Sequence, residues 1–193
     1  AVFTLNDVAG SADTATLALD SARANNVTIA GVETLNVKGM TGASVVSGQL
    51  IAQQANKLVF SGDQNITIAD TDLDQAFASG LSVDASAMTG NLNIALTEAA
   101  KQTFVGGSGN DTVQLRNTLT ANDSIDGGTG SNTVGISTSA SLTQQTGAVL
   151  KNFQSVDIVA GTTGNYDMDF ITGGGSATTV TSGIKVSGAL TDG

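Results

Sequence analysis

The 193-residue chain contains no histidine, cysteine, proline or tryptophan. The absence of histidine excludes the usual imidazole general base, histidine-containing catalytic triads and histidine metal sites. The absence of cysteine excludes thiolate nucleophiles and disulfide bonds. Catalysis would have to depend on carboxylates, on Lys101 or on the single tyrosine, Tyr166. Because this is a poor set of groups for an active site, we expect that the protein is not an enzyme.

Basic residues are also scarce: seven lysines and arginines stand against 17 aspartates and glutamates, which gives a formal net charge of −10. A surface of this sign repels phosphate backbones and attracts cations, so we expect no nucleic-acid partner. No apolar run approaches bilayer length, so we expect no membrane insertion. The chain begins at Ala1 without an initiator methionine or a secretion signal, and we therefore expect a processed product or a fragment.

Short alternations of apolar and polar residues recur along the whole chain. Pairs such as Leu35 and Val37, or Leu58 and Phe60, each predict a short strand. Many of these strands lie roughly ten residues apart, which fits two strands per coil of a β-solenoid or a run of short strands in a sandwich. The spacing alone does not choose between these two all-β folds.

Internal repeats favour the solenoid. Residues 29–37 reappear, apolar for apolar, as residues 150–158, and the tripeptide 40–42 recurs as 88–90. A chain that reuses one strand-turn unit is typical of stacked coils. We therefore predict an all-β, right-handed parallel β-roll or β-solenoid that forms one elongated domain over residues 1–193. Residues 1–100 would form an irregular solenoid, and residues 101–193 a more regular roll with the coils that follow it.

Two segments have apolar residues placed as on a short helix. Residues 72–78 and residues 49–56 each predict one or two helical turns that would cover the ends of coils.

The strongest motif lies at residues 106–114, which read GGSGNDTVQ and match the nonapeptide G-G-x-G-x-D-x-U-x. Glycines adopt backbone angles closed to other residues, so their carbonyls can face a cation, and the aspartate adds a charged oxygen. A degenerate copy begins 21 residues later at Gly127, with Asn132 in the position of the aspartate. The two turns would stack on successive coils and share a calcium ion. An ordinary glycine-rich hairpin turn is the structural alternative.

The predicted calcium site combines side-chain oxygens and main-chain oxygens of the two turns. Asp111 is the main candidate, and an Asx turn is the structural alternative to calcium ligation. Asp126 and Asp123 flank the second turn and would add the charge that Asn132 lacks, or else they are solvated acids at strand ends. The full set of candidate metal ligands is Gly107, Gly109, Asp111, Asp126, Gly128, Gly130, Asn132 and Asp123.

Two further acidic groups are weaker candidates. Residues 70–74 read DTDLD, like the start of an EF-hand, but Gln75 and Leu81 replace the required glycine and glutamate. They predict either an irregular second calcium site or acids at a helix N-terminus. Asp167 and Asp169 would share one face of a strand, where a solvated face or a weak metal site is favoured over a glycosidase carboxylate pair.

The motif region, residues 102–135, resembles the RTX (repeats-in-toxin) family of calcium-binding β-roll proteins, which Gram-negative bacteria export by type I secretion. Residues 31–37, their echo at 152–158 and the run 83–90 are similar to the surface-layer (S-layer) proteins of those bacteria. The chain departs from that pattern because it carries one clean nonapeptide where such proteins carry several.

The resemblance implies an extracellular, cell-surface structural protein that self-assembles in the presence of calcium into a layer or a filament. Its partners would be further copies of itself and a cell-surface polysaccharide. Two alternatives stay open at this point. One is a calcium-dependent adhesin or ligand-binding module, and the other is the RTX accessory domain of a type I-secreted protein.

Overall fold

The computed structural model describes residues 2–4, 10, 12–73, 80–96, 101–116, 119–136, 150–159 and 183–187. Within these ranges the chain forms 17 β-strands and no helix. The strands are β1 (Val2–Thr4), β2 (Thr14–Leu19), β3 (Arg23–Ala24), β4 (Val27–Ala30), β5 (Thr34–Gly39), β6 (Ser44–Ala52), β7 (Lys57–Gly62), β8 (Ile66–Leu73), β9 (Leu81–Met88), β10 (Leu92–Ala95), β11 (Gln102–Val105), β12 (Thr112–Arg116), β13 (Ser124–Asp126), β14 (Thr133–Ile136), β15 (Leu150–Lys151), β16 (Ser155–Val159) and β17 (Gly183–Ser187).

The strands form two sheets, and neighbours within each sheet are parallel. The first sheet has the order β1-β4-β6-β8-β10-β12-β14-β16-β17, with β3 also paired to β6. The second sheet has the order β15-β13-β11-β9-β7-β5-β2. From β4 to β16 the chain crosses from one sheet to the other after each strand, so each coil adds one strand to both sheets. This confirms the parallel β-solenoid, and the sandwich alternative, which needs antiparallel strands, is wrong.

The core lies between the two sheets and is built from columns of aligned apolar side chains. In the second sheet, Leu58, Val83, Phe104 and Ile125 stand in register on successive coils, and each is at most 1% exposed. In the first sheet, the column is Ile68, Ile94, Val113, Val134 and Val156. Because side chains alternate between the two faces of a strand, one apolar residue in two is enough to fill this core.

The prediction of a helix over residues 49–56 is wrong. Residues 49–52 belong to β6, in which the buried Leu50 and Ala52 alternate with the half-buried Gln49 and Ile51. This is the period of two of a strand, and a turn follows in which the amide of Ala55 donates to the carbonyl of Ala52 (2.8 Å). The other predicted helix begins with residues 72 and 73, which end β8, and its residues 74–78 lie outside the described residues.

No helix long and apolar enough to cross a bilayer occurs in the described part of the chain.

Adjacent residues of β11 test the position of the core. We expect Phe104→Ala to lower the free energy of unfolding by about 3–5 kcal/mol, because it removes a fully buried ring from the aligned column. Val105→Ala is the matched control: Val105 is 38% exposed, and its loss should cost less than about 1 kcal/mol. Urea denaturation of both variants measures the difference, and equal losses would contradict the assignment of the faces of β11.

Candidate functional site

Four turns stack at one edge of the solenoid, where strands of the second sheet lead into strands of the first. We call them the glycine-turn edge: residues 62–65, 88–91, 107–110 and 128–131. Main-chain hydrogen bonds continue through them, because the amides of Thr89, Ser108 and Thr129 donate to the carbonyls of Gly62, Met88 and Gly107 (2.9, 3.0 and 3.0 Å). The sequence motif identified the third and fourth turns. The first two lack the double glycine and were missed.

Close stacking explains why glycine occurs at one column of this edge. A Cβ atom at Gly109 would overlap the carbonyl oxygen of Gly90, and one at Gly130 would overlap that of Gly109. Gly130 also has a φ of +99°, a left-handed conformation that other residues rarely adopt. The fold therefore requires glycine here whether or not a cation binds.

An asparagine column lies beside these glycines and ties the turns together. The Oδ1 atom of Asn65 accepts the amide of Asn91 (2.9 Å), and Oδ1 of Asn91 accepts the amide of Asn110 (2.8 Å). Oδ1 of Asn110 accepts the amide of Ser131 (2.8 Å). Each of these side chains thus bonds the main chain of the coil that follows. A recurring asparagine after each glycine turn was the sequence signal that could have revealed the first two turns.

Asp111 immediately precedes β12, and its side chain lies in the interior, only 1% exposed. Its Oδ1 accepts the amide of Leu92 on the preceding coil (2.8 Å), and its Oδ2 accepts the amide of Gly107 in its own turn (2.9 Å). Burial raises the pKa of the Asp111 carboxyl, while these two amides act in the opposite direction. The side chain therefore joins two coils and closes its own turn, with an amide four residues before it and not the amide two residues after it that an Asx turn uses.

In the two coils that follow, the residue in the position of Asp111 also accepts a main-chain amide of the coil before it. Oδ1 of Asn132 accepts the amide of Asp111 (2.8 Å), and Oε1 of Gln154 accepts the amide of Asn132 (2.6 Å). The Nδ2 group of Asn132 donates to the carbonyl of Asn152 (3.0 Å). Asn132 thus keeps the contact between coils that the aspartate makes in the first motif, although it carries no charge.

Asp123 lies at the opposite edge of the solenoid, where β13 begins. It is 5% exposed, and its carboxylate accepts the amides of Gln102 on the preceding coil and of Thr120 in its own turn (both 2.7 Å). This is the arrangement of Asp111, repeated outside any nonapeptide. The structure therefore separates Asp123 from the other candidate ligands, even though it lies close to them in sequence.

Asp126 ends β13, beside the glycine turns, and is half-buried. Its Oδ1 accepts the amide of Gly128 (2.9 Å) and the side-chain amide of Asn152 (2.6 Å). Seven of the eight predicted ligands therefore lie at the glycine-turn edge: Gly107, Gly109, Asp111, Asp126, Gly128, Gly130 and Asn132.

The oxygens at this edge have the chemistry that calcium requires. Carboxylates and main-chain carbonyls are hard oxygen donors, and each Asp111 oxygen keeps a lone pair beyond the one that accepts an amide. No group of three or more acidic side chains suited to holding a metal occurs among the described residues. A calcium ion would thus take most of its ligands from main-chain carbonyls, with Asp111 and Asp126 as the acidic contributors.

The structure describes only some of the weaker acidic candidates. Asp70 lies within β8 and accepts a hydrogen bond from Nε2 of Gln49 on the preceding coil (3.4 Å), and the helix at whose N-terminus the acids would stand falls largely outside the described residues. Asp74, and the pair Asp167 and Asp169, lie outside the described residues.

Removal of the Asp111 carboxylate tests its structural role. We expect Asp111→Ala, measured with EGTA present, to lower the free energy of unfolding by about 2–4 kcal/mol, because two buried amides lose their acceptor at about 1–3 kcal/mol each. Asp63→Ala, at an exposed turn position, is the control and should change little. A variant at position 111 as stable as wild type under EGTA would mean that this aspartate serves only a metal.

The raised pKa of Asp111 predicts a pH dependence of stability. An acid with a raised folded-state pKa contributes most below its ordinary value of 3.8, and the contribution is lost as pH rises through the folded-state pKa. We therefore expect the stability of wild type relative to Asp111→Asn to decrease as pH rises above 3.8 in metal-free buffer. Chemical denaturation at several pH values measures this difference, and a difference that grows with pH would refute the predicted direction.

Comparisons with protein-family models, with curated proteins and with solved structures find no match to this chain. The resemblance to RTX and surface-layer proteins therefore rests on the glycine turns and the flanking repeats alone.

Proposed function

We propose that the chain is a structural part of an extracellular protein at the surface of a Gram-negative bacterium, where it self-assembles into a layer or filament in the presence of calcium. The observation that supports a structural role is that buried and half-buried polar side chains bond successive coils to each other. Asp111, Asn132 and Gln154 at one edge, and Asp123 at the other, each bind a main-chain amide of the preceding coil.

These contacts leave the buried acids without the features of catalytic groups. A general acid or base needs access to a substrate and often a second titratable group beside it. Asp111 and Asp123 are instead enclosed, and both oxygens of each accept main-chain amides. Such groups support a scaffold whose function lies on its outer surface.

The ends of the two sheets support assembly. The first sheet ends at β1 and β17 and the second at β2 and β15, and within the described residues no further strand pairs with their outer edges. Open edges of parallel strands are templates for pairing with another chain. The chain contains no proline, one of the residues that block pairing at an edge.

The charge of the chain supports the role of calcium. Identical copies with a net charge of −10 repel each other, and monovalent salt screens that repulsion without binding to particular groups. A divalent cation held at the glycine-turn edge would neutralise carboxylates directly and couple metal binding to the stability of the stack. The extracellular location rests on the resemblance to exported surface-layer proteins.

Calcium should both stabilise the chain and trigger its association. We expect the thermal midpoint and the light scattering of the purified chain to rise in millimolar calcium, and to change much less in magnesium, because flexible carbonyl-rich turns suit the larger calcium shell. Sodium chloride at matched ionic strength is the control for screening. Equal thermal midpoints in calcium, magnesium and EGTA would contradict the role of calcium. A chain that stays monomeric in concentrated calcium solutions would contradict self-assembly.

A further inference from the structure

A depression on the outer face of the first sheet is created by an irregular pairing of two coils. The short strand β3 pairs with Val45 and Val46 of β6, and the register of β6 then shifts between Val46 and Gln49 on its other side. The depression has a volume of about 250 Å³, and we call it the Arg23 depression. It is lined by Arg23, Ala24, Asn25, Val45 and Ser47.

Main-chain contacts hold the walls of this depression in place. The amide of Gly48 donates to the carbonyl of Asn25 (2.7 Å), and the Ser47 hydroxyl donates to the carbonyl of Ala24 (3.2 Å). A Cβ atom at Gly48 would overlap the side chain of Asn26, so only glycine allows the two coils to approach this closely. The depression is therefore a fixed feature of the fold.

Arg23 gives the depression a positive charge in a strongly acidic protein. Its side chain is exposed, and no carboxylate of the described residues pairs with it. Ala24 and Val45 add apolar surface to the lining of the depression. The planar guanidinium donates two parallel hydrogen bonds to a carboxylate better than any other side chain does. The chemistry of the depression thus selects a protruding carboxylate.

Two acidic side chains are exposed among those whose burial the structure describes, Asp20 and Asp63. Asp20 already accepts the hydroxyl of Thr41 on the next coil. Asp63 lies in the first turn of the glycine-turn edge, where its Oδ1 accepts the side-chain amide of its neighbour Gln64 (3.0 Å). The bond of Asp20 holds it against the next coil, whereas that of Asp63 is only to its neighbour in sequence, so Asp63 is the better candidate to reach another molecule.

We propose that the Arg23 depression of one copy receives Asp63 of a second copy. This inference rests on the proposed self-assembly and names a contact within it. Arg23 lies on the outer face of the first sheet and Asp63 at the glycine-turn edge, so the contact joins two different surfaces of the same chain. Head-to-tail contacts between different surfaces generate open filaments or lattices. The charge pair sets which surfaces meet, while other contacts supply most of the affinity.

Charge reversal tests the contact. Arg23→Glu and Asp63→Arg should each raise the protein concentration needed for calcium-dependent light scattering by at least about tenfold, because like charges then face each other. The double variant keeps the net charge of −10 and should restore assembly. Lys38→Glu and Asp20→Arg make the same charge changes at other exposed positions and should assemble as wild type does. Arg23→Gln, which removes charge without reversing it, should have an intermediate effect, and thermal unfolding checks that every variant folds.

The outcomes separate this contact from the proposed function. If wild type assembles and the single reversals assemble equally well, the contact is refuted and the assembly proposal stands. If the single reversals block assembly but the double variant does not restore it, Arg23 meets a different carboxylate and the pairing with Asp63 is wrong. If wild type does not assemble at all, the contact and the assembly proposal both fail.

Discussion

The structure depends on hydrogen bonds that join successive coils at the turns, where the hydrogen bonding of the sheets stops. Within a sheet, parallel strands pair their amides and carbonyls, but at each edge the chain must turn while its buried amides still need acceptors. Side-chain oxygens meet that need at both edges. The amide of Leu92 is bound by Asp111, that of Gln102 by Asp123 and that of Asp13 by Glu33 (2.8, 2.7 and 2.7 Å). An amide buried without such a partner would cost about 1–3 kcal/mol.

The same constraint explains the composition of the glycine turns. Neighbouring strands of a sheet lie about 4.8 Å apart, so turns that stack at this spacing bring one main chain against the next. Gly109 and Gly130 are required because the carbonyls of Gly90 and Gly109 occupy the space of a side chain. A pattern that suggests cation binding therefore also has a purely steric origin. The two explanations are compatible, because the carbonyls that exclude a side chain are also oxygen donors.

The fold was predictable because alternation and repetition are local properties of the sequence. The strand containing Leu58 and Phe60, for example, follows directly from period-two spacing, and both residues are fully buried. The prediction of a helix over residues 49–56 failed because Leu50 and Ala55 suggested a helical face, whereas Leu50 and Ala52 have the period of a strand and β6 pairs with neighbours on both sides.

The motif and its degenerate copy predicted which residues come together at the glycine-turn edge. Asp111 and the glycines of two turns were found, but Asp123 was placed beside them on sequence proximity alone. The three-residue strand β13 carries the chain from one edge to the other, so Asp123 and Asp126 lie on opposite sides of the core. The repeat of residues 40–42 at 88–90 was also imperfect: Met40 is 42% exposed and Met88 is buried, because the two copies are offset within their turns. Such shifts depend on the pairing of coils, which no single stretch of sequence specifies.

The asparagine column and the column containing Asp111 bond in opposite directions along the stack. Asn91 and Asn110 bind amides of the coil that follows, whereas Asp111 and Asn132 bind amides of the coil that precedes. Each interface between two such coils therefore has hydrogen-bond donors and acceptors on both of its sides. Duplication or deletion of one whole coil during evolution would therefore leave every amide with a partner, while a shift of one residue would disrupt both columns. The two columns therefore tolerate a change in the number of coils better than a change of register within a turn.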